Sequence, residues 1–98
     1  MWITLFLLLA AHALGDFALQ NDYVAKAKAS SLVVLLAHSI IHGALVFYVT
    51  SSLTLGLIET ALHAAIDASK CRGAISFNTD QALHVGCKLG YVALIYFL

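Results

Sequence analysis

The residues best suited to chemistry in this chain are four pairs of histidine or aspartate side chains, each with a spacing of four residues. They include all five histidines and three of the four aspartates. Because residues four apart lie on the same side of a helix, each pair presents two donor groups on one helix face. The pairs are His12 and Asp16, His38 and His42, His63 and Asp67, and Asp80 and His84.

Neutral imidazoles and carboxylates are the ligands that Zn, Mn and Fe take in proteins. Two histidines four apart occur in the HExxH zinc helix, but His38 is followed by serine rather than glutamate, so that protease motif is absent. Eight donors exceed the needs of one ion. They suit two ions bridged by carboxylates, an arrangement that holds a phosphoryl oxygen and activates water. All eight residues are therefore predicted ligands of one or two divalent ions.

Other polar residues continue the same helix faces. Gln20, Lys70 and Gln81 are predicted to act in catalysis, as a general acid or base, a phosphate binder or a partner that orients a ligand. Glu59 and Lys88 could assist in the same way, although Glu59 lies one turn beyond His63 and is a weaker candidate ligand.

The composition predicts a membrane protein. Of the 98 residues, 62% are hydrophobic and 10% charged, and the mean hydropathy is +0.96. A soluble domain of this size buries only about 60% of the surface that its unfolded chain exposes, too little to hide so many apolar side chains. A net charge of zero gives no basic surface for nucleic acid. Cys71 and Cys87 form neither a disulfide framework nor a CxxC site.

The apolar segments predict one all-α domain over residues 1–98, a transmembrane four-helix bundle with up-down topology. The helices are expected at about residues 2–21, 32–50, 55–70 and 78–98. Ser30 or Ser31 is the expected N-cap of the second helix, and Asn78 or Thr79 that of the fourth. The first segment lacks the positive n-region of a signal peptide, so it is interpreted as an uncleaved transmembrane helix.

The basic residues outside the helices predict the orientation. Lys26 and Lys28 lie in the first link, and Lys70 and Arg72 flank the third, whereas the middle link and both termini carry none. The positive-inside rule then places the first and third links in the cytoplasm and both termini on the non-cytoplasmic side.

Lys26, Lys28 and Arg72 are accordingly interpreted as topology and lipid-headgroup charges. Trp2, Tyr91 and Tyr96 are interpreted as residues of the outer membrane interface.

The same topology places all eight donors within about 15 Å of the cytoplasmic surface, since a helix rises 1.5 Å per residue. Asp16 is expected to meet Asp67 and Asp80 near that surface. His12 is expected to meet His42 and His63 deeper in the bundle.

The order of these polar residues resembles a known family. The signatures His12-x-x-x-Asp16-Phe17-x-x-Gln20, His38, His63-x-x-x-Asp67-x-x-Lys70 and Asp80-Gln81-x-x-His84 are similar to those of the DUF3307 family, small bacterial and phage integral membrane proteins of unknown function. The resemblance covers nearly the whole chain. It implies a multi-span protein of the bacterial inner (cytoplasmic) membrane with a polar His/Asp site. In style, the motifs are also similar to those of membrane-bound metal-dependent hydrolases.

The leading hypothesis is a di-metal hydrolase that acts at the cytoplasmic leaflet on a lipid or a phosphate-containing amphiphile. Three alternatives stay open: an ion or proton pathway, a haem-binding bundle, and a structural or interaction protein whose polar cluster holds the helices together. A homo-oligomer is compatible with four short helices, and Gly86-x-x-x-Gly90 is a candidate packing face.

Overall fold

The computed structural model describes all 98 residues and contains five α-helices and no strands. A π-helical turn, Leu14–Ala18, directly continues the first helix. The prediction of an all-α fold is confirmed. The helices are α1 (Trp2–Ala13), α2 (Asp22–Ala27), α3 (Leu32–Thr50), α4 (Leu53–Cys71) and α5 (Phe77–Phe97).

Serine side chains begin the three longest helices and decide their first residues. The hydroxyl oxygens of Ser31, Ser52 and Ser76 each accept a hydrogen bond from the backbone N–H three residues later. Ser31 was one of the two N-caps predicted for the second long helix, and that prediction is confirmed. The prediction of Asn78 or Thr79 as the last N-cap is wrong, because the Ser76 cap starts α5 at Phe77.

Two local features were not predicted. The first helix leaves α geometry after Ala13 and ends as a π turn, so it does not continue to residue 21. The polar link after it contains α2, a two-turn helix capped by the side chain of Asn21. These features bring the link back against α3, where α2 packs.

The four long helices form a ring in which α1, α3, α4 and α5 each pack against the next, and α5 closes on α1. Consecutive helices run in opposite directions. Both chain termini therefore lie at one end, where the hydroxyls of Thr4 and Tyr96 are 2.6 Å apart. Residues 19–31 and 72–76, which link the long helices, form the other end, the link end.

Helices α3 and α4 touch through their backbones. A Cβ atom on Gly43 would lie 2.6 Å from the carbonyl oxygen of Gly56, and one on Gly56 would lie 2.8 Å from the carbonyl oxygen of Gly43. Only glycine permits this approach. Directly before Gly43 in the chain, His42 stacks its ring on that of His63 with centroids 3.6 Å apart. The glycine contact therefore sets the distance between two of the predicted ligands.

The interior is more polar than the exterior. Only seven hydrophobic residues are buried, against twelve polar or charged ones. The small apolar core, formed by Leu8, Val46, Leu55, Tyr91 and Val92, lies towards the termini. Most other large apolar side chains are exposed.

One helix, α3, is both long and apolar enough to cross a membrane, and the first helix with its π turn is apolar but shorter. A single helix of this kind also occurs in the cores of soluble proteins. The up-down arrangement of four long helices is therefore observed, whereas multi-pass insertion into a membrane stays a prediction.

Candidate metal centre

All eight predicted donors are buried and meet in the middle of the helix ring. Each has at most 6% of its surface exposed. Every long helix contributes two of them, if the π turn is counted with α1. The residues that were expected to meet do so, in groups whose donor atoms all lie within 4.8 Å of one another. One group contains His12, Asp16, His42 and His63, and a second contains Asp16, His38, His63 and Asp67. A third contains Asp16, Asp80 and His84.

Asp16 is the centre of the cluster, and it sits in the π turn. Its Oδ1 atom lies 3.0 Å from Nε2 of His42, 3.2 Å from Nε2 of His38 and 3.4 Å from Nε2 of His63. Three imidazole nitrogens from α3 and α4 thus face one carboxylate oxygen. π turns recur at functional sites in proteins, and here the turn carries the residue that most of the other donors face.

Four donors have the spacing of a tetrahedral metal site. Asp16, His38, His63 and Asp67 provide six donor–donor distances, of which five lie between 3.2 and 3.5 Å. The sixth, between the two carboxylates, is at most 4.8 Å. Tetrahedral coordination with bonds of 2.0–2.2 Å places donor atoms about 3.3–3.6 Å apart. The donor types and their spacing therefore fit a zinc-sized ion.

Three of the remaining donors, His12, Asp80 and His84, lie towards the other oxygens of the two carboxylates. The second oxygen of Asp67, Oδ1, is 3.1 Å from Nε2 of His84, which is 3.5 Å from Oδ1 of Asp80. The second oxygen of Asp16, Oδ2, is 3.5 Å from Nε2 of His12. Asp16 and Asp67 each direct one carboxylate oxygen towards the first set of donors and the other oxygen towards the second set. Carboxylates that bridge two ions are arranged in this way.

Three polar atoms of the cluster lack a hydrogen-bond partner although they are buried: Nδ1 of His12, Nε2 of His42 and Oδ1 of Asp80. The His42 nitrogen lies close to Asp16 but is not aligned for a hydrogen bond. Buried polar atoms in folded proteins are nearly always paired. Two of these atoms, on His42 and Asp80, face other donors, which is the position of atoms that coordinate an ion.

The buried charges also leave a deficit of positive charge. Asp16, Glu59, Asp67 and Asp80 are buried together with Lys28 and Lys88. With neutral histidines, four carboxylates face two ammonium groups, which leaves two negative charges. Because uncompensated buried charge is strongly destabilising, these two charges must be balanced by a divalent cation or by two protons bound to the histidines or carboxylates.

A second polar group borders the cluster on the side of the termini. Oε1 of Glu59 lies 3.3 Å from Nδ1 of His63, whose Nε2 faces the other donors. The Lys88 ammonium donates to Oε1 of Glu59 at 2.6 Å, and the Tyr91 hydroxyl donates to Oε2 at 2.6 Å. The interpretation of Tyr91 as an interface residue is wrong, since only 3% of its surface is exposed. Trp2 and Tyr96 are exposed, and their place at a membrane interface stays a prediction.

Gln81 contacts the donors of the cluster directly and Gln20 reaches them through Lys28, whereas a catalytic role for either residue stays a prediction. The Gln81 amide donates to Oδ2 of Asp16 and to Oδ2 of Asp80, both at 3.1 Å, and its carbonyl oxygen lies 2.9 Å from Nε2 of His12. Gln20 reaches the cluster through a lysine. Its Oε1 accepts a hydrogen bond at 2.7 Å from Nζ of Lys28.

Lys28 was interpreted only as a topology charge, and this is wrong. Its Nζ donates to Oδ2 of Asp67 at 2.9 Å, and only 6% of the residue is exposed. The spacing along the chain gave no signal, because Lys28 reaches the cluster only through the position of the unpredicted α2. Lys26 and Arg72 are exposed, as expected for topology charges.

The structure does not bring Lys70 to the cluster. Its Nζ lies over the ring of Phe77, 5.3 Å from the centroid. Lys70 is three residues beyond Asp67 in the last turn of α4, and this places it beside the start of α5. The prediction that Lys70 acts in catalysis therefore has no support in the geometry.

The profile of the family described as "Protein of unknown function (DUF3307)" matches residues 4–97. The chain belongs to the DUF3307 family. No curated protein and no solved structure is significantly similar to it. The family match covers all eight donors of this DUF3307 protein as well as Gln20, Glu59, Gln81 and Lys88.

Glu59→Gln is expected to weaken metal binding about 10- to 100-fold, the usual effect of removing a carboxylate that orients a ligating histidine. The amide keeps the volume but no longer favours one orientation of the His63 ring. The measurement is competition for Zn²⁺ with a chelator of known affinity. Unchanged affinity in Glu59→Gln would show that Glu59 does not orient His63.

Proposed function

We propose that this protein is an integral membrane metalloprotein whose buried His/Asp cluster binds a divalent cation near the link end. The observation that carries the proposal is the set of five donor–donor distances of 3.2–3.5 Å among Asp16, His38, His63 and Asp67. The unpaired donor atoms support it independently, and so do the two negative charges that remain when the histidines are neutral.

The direct test is elemental analysis of the protein purified in mild detergent without added metal. A stoichiometric amount of zinc, manganese or iron is the expected result. Protein that contains no such ion, and takes none up after dialysis against each metal, would contradict the proposal. The cluster would then be a structural core with protonated histidines.

A membrane location is supported by where the polar side chains lie in the two less apolar long helices. In α4, Glu59, His63 and Asp67 are all buried, so they lower the hydropathy of the helix without facing its surroundings. The same holds for the polar residues buried in α5. Every exposed side chain between residues 57 and 65 and between residues 82 and 97 is apolar or aromatic. The exterior offered to the surroundings is therefore compatible with lipid.

The exposed charges support the predicted orientation. Asp22, Lys26 and Arg72 are the only charged residues that are exposed, and all three lie at the link end. Their position favours the cytoplasmic surface for this end and the non-cytoplasmic side for both termini.

Cysteine labelling in membrane vesicles would test this orientation. In a background with Cys71→Ser and Cys87→Ser, Ala74→Cys is expected to react with an impermeant maleimide only in inside-out vesicles. Thr54→Cys, at the opposite end, is expected to react only in right-side-out vesicles. Reaction of both cysteines in the same vesicles, or recovery of the protein without membranes, would contradict the arrangement.

The reaction class that the site supports best is hydrolysis of a phosphate-containing amphiphile. A bound divalent ion polarises a phosphoryl oxygen and makes a bound water nucleophilic at neutral pH. In this chain, Asp16 and Asp67 would hold the ion or ions, and the Gln81 amide would fix both Asp16 and Asp80. Release of inorganic phosphate from short-chain phosphatidic acid, dependent on added metal, is the activity to assay. A metal-loaded protein without this activity on any phosphate ester would leave metal binding intact and remove the hydrolase assignment.

A further inference from the structure

A cavity of about 230 Å³ opens at the link end beside the cluster. Its polar walls are formed by Lys28, Ser30, Ser31 and Arg72, and Leu32 and Leu35 line its apolar side. No carboxylate lines it. A cavity with two cationic side chains, two hydroxyls and an apolar wall matches a small anion attached to an apolar group.

Lys28 separates this cavity from the metal centre. The residue lines the cavity, and its Nζ donates to Asp67 and to Gln20 at 2.9 and 2.7 Å. An ammonium group has three donors, and these two bonds use two of them. An anion bound there would share Lys28 with a predicted metal ligand and would lie next to the metal centre.

Arg72 also lines the cavity and is available to bind a ligand there. It is exposed, and its only side-chain hydrogen bond is a long one, 3.4 Å, to the hydroxyl of Ser69. The planar guanidinium binds two phosphate oxygens at once, which gives both affinity and orientation.

The charge of the cluster points to the same ligand. One divalent ion would neutralise the two uncompensated charges, and a second would leave the cluster with a charge of about +2. A phosphate monoester dianion would restore neutrality. A dinuclear centre in this chain is therefore favoured when such a ligand is bound.

We propose that this cavity is the phosphate-binding entrance of the metal centre, and that it takes a phosphate monoester group through Lys28 and Arg72. The assignment names the substrate class for the proposed hydrolase and rests on that function. The group can arrive on a lipid or as free phosphate, and the two sources are distinguishable by experiment.

The test is calorimetric titration of the metal-loaded protein in phosphatidylcholine nanodiscs, with inorganic phosphate in one arm and dihexanoyl phosphatidic acid in the other. Lys28→Met and Arg72→Gln are expected to weaken binding about 10- to 100-fold, the usual effect of losing a hydrogen bond between charged groups. Lys26→Met is the matched control, because Lys26 is exposed, also lies in α2 and does not line the cavity. It should bind as the wild type does.

Tighter binding of phosphatidic acid would identify the lipid headgroup as the source, and tighter binding of inorganic phosphate would identify free phosphate. Arg72→Gln keeps the test decisive even if Lys28→Met unfolds, since Arg72 is exposed. Wild-type binding by Arg72→Gln, or an equal loss in Lys26→Met, would overturn the proposal. Elemental analysis of the same samples separates the two failures, because loss of phosphate binding with full metal content leaves the metal site standing.

Discussion

Asp16→Asn is expected to lower the affinity for divalent metal by more than about 100-fold, since even carboxylates that only orient a ligand contribute 10- to 100-fold. Oδ1 of Asp16 faces the Nε2 atoms of His38, His42 and His63 within 3.0–3.4 Å. The amide removes the charge that attracts the cation and leaves one fewer oxygen to bind it. The substitution preserves shape, so the helix ring is expected to form.

Metal content after purification and chelator competition are the measurements, with circular dichroism as the check on folding. Asp22→Asn is the control because it makes the same chemical change at an exposed position of α2. It should retain full metal content. A stoichiometric ion in folded Asp16→Asn would mean that Asp16 is not a ligand, and the tetrahedral site described above would be wrong.

Gly43→Ala is expected to destabilise the protein by about 3 kcal/mol, the upper end of the cost of overpacking a well-packed interior. The new methyl group would lie 2.6 Å from the carbonyl oxygen of Gly56 and against the side chain of Thr60. A backbone atom cannot move aside as a flexible side chain does. Helices α3 and α4 would have to separate, and the rings of His42 and His63 would separate with them.

Thermal unfolding in detergent, followed by circular dichroism, measures this effect. Gly86→Ala and Gly90→Ala are matched controls in α5, where an added Cβ meets nothing within 4 Å. They should gain about 0.5–1 kcal/mol from the higher helix propensity of alanine. Equal stability of Gly43→Ala and the wild type would show that the α3–α4 contact tolerates separation. Loss of stability in Gly86→Ala would reveal a partner on that face, such as a second copy of the chain.

The sequence predicted the features that depend on the geometry of a single helix. The four-residue spacing of each His/Asp pair is a local property, so it predicted which side chains share a face, and the up-down order then predicted that the faces meet. The same spacing continues along α5 beyond the Asp80 and His84 pair. Asp80, His84, Lys88 and Tyr91 are spaced by four, four and three residues, which places Tyr91 on the buried face and not at an interface.

Other features depend on tertiary structure and left no local signal. Lys28 looks like any basic residue in a link, and only the path of the chain through the π turn and α2 carries its ammonium to Asp67. Lys70 continues the face of Asp67 by its spacing, yet the turn before α5 places Phe77 beneath it. The cap at Ser76 was missed because Asn78 and Thr79 are also preferred capping residue types.

The interior of this protein is more polar than its exterior, and this has a consequence for how the chain would enter a membrane. Helices α4 and α5 each carry several ionisable groups, and such groups are costly in hydrocarbon when a helix is alone. Their cost falls when the imidazoles of α1 and α3 are present to pair with them. The two more apolar helices would therefore enter first and act as an internal template for the other two. Biogenesis would be cooperative, and truncation after α4 should leave a product that the cell's quality control removes.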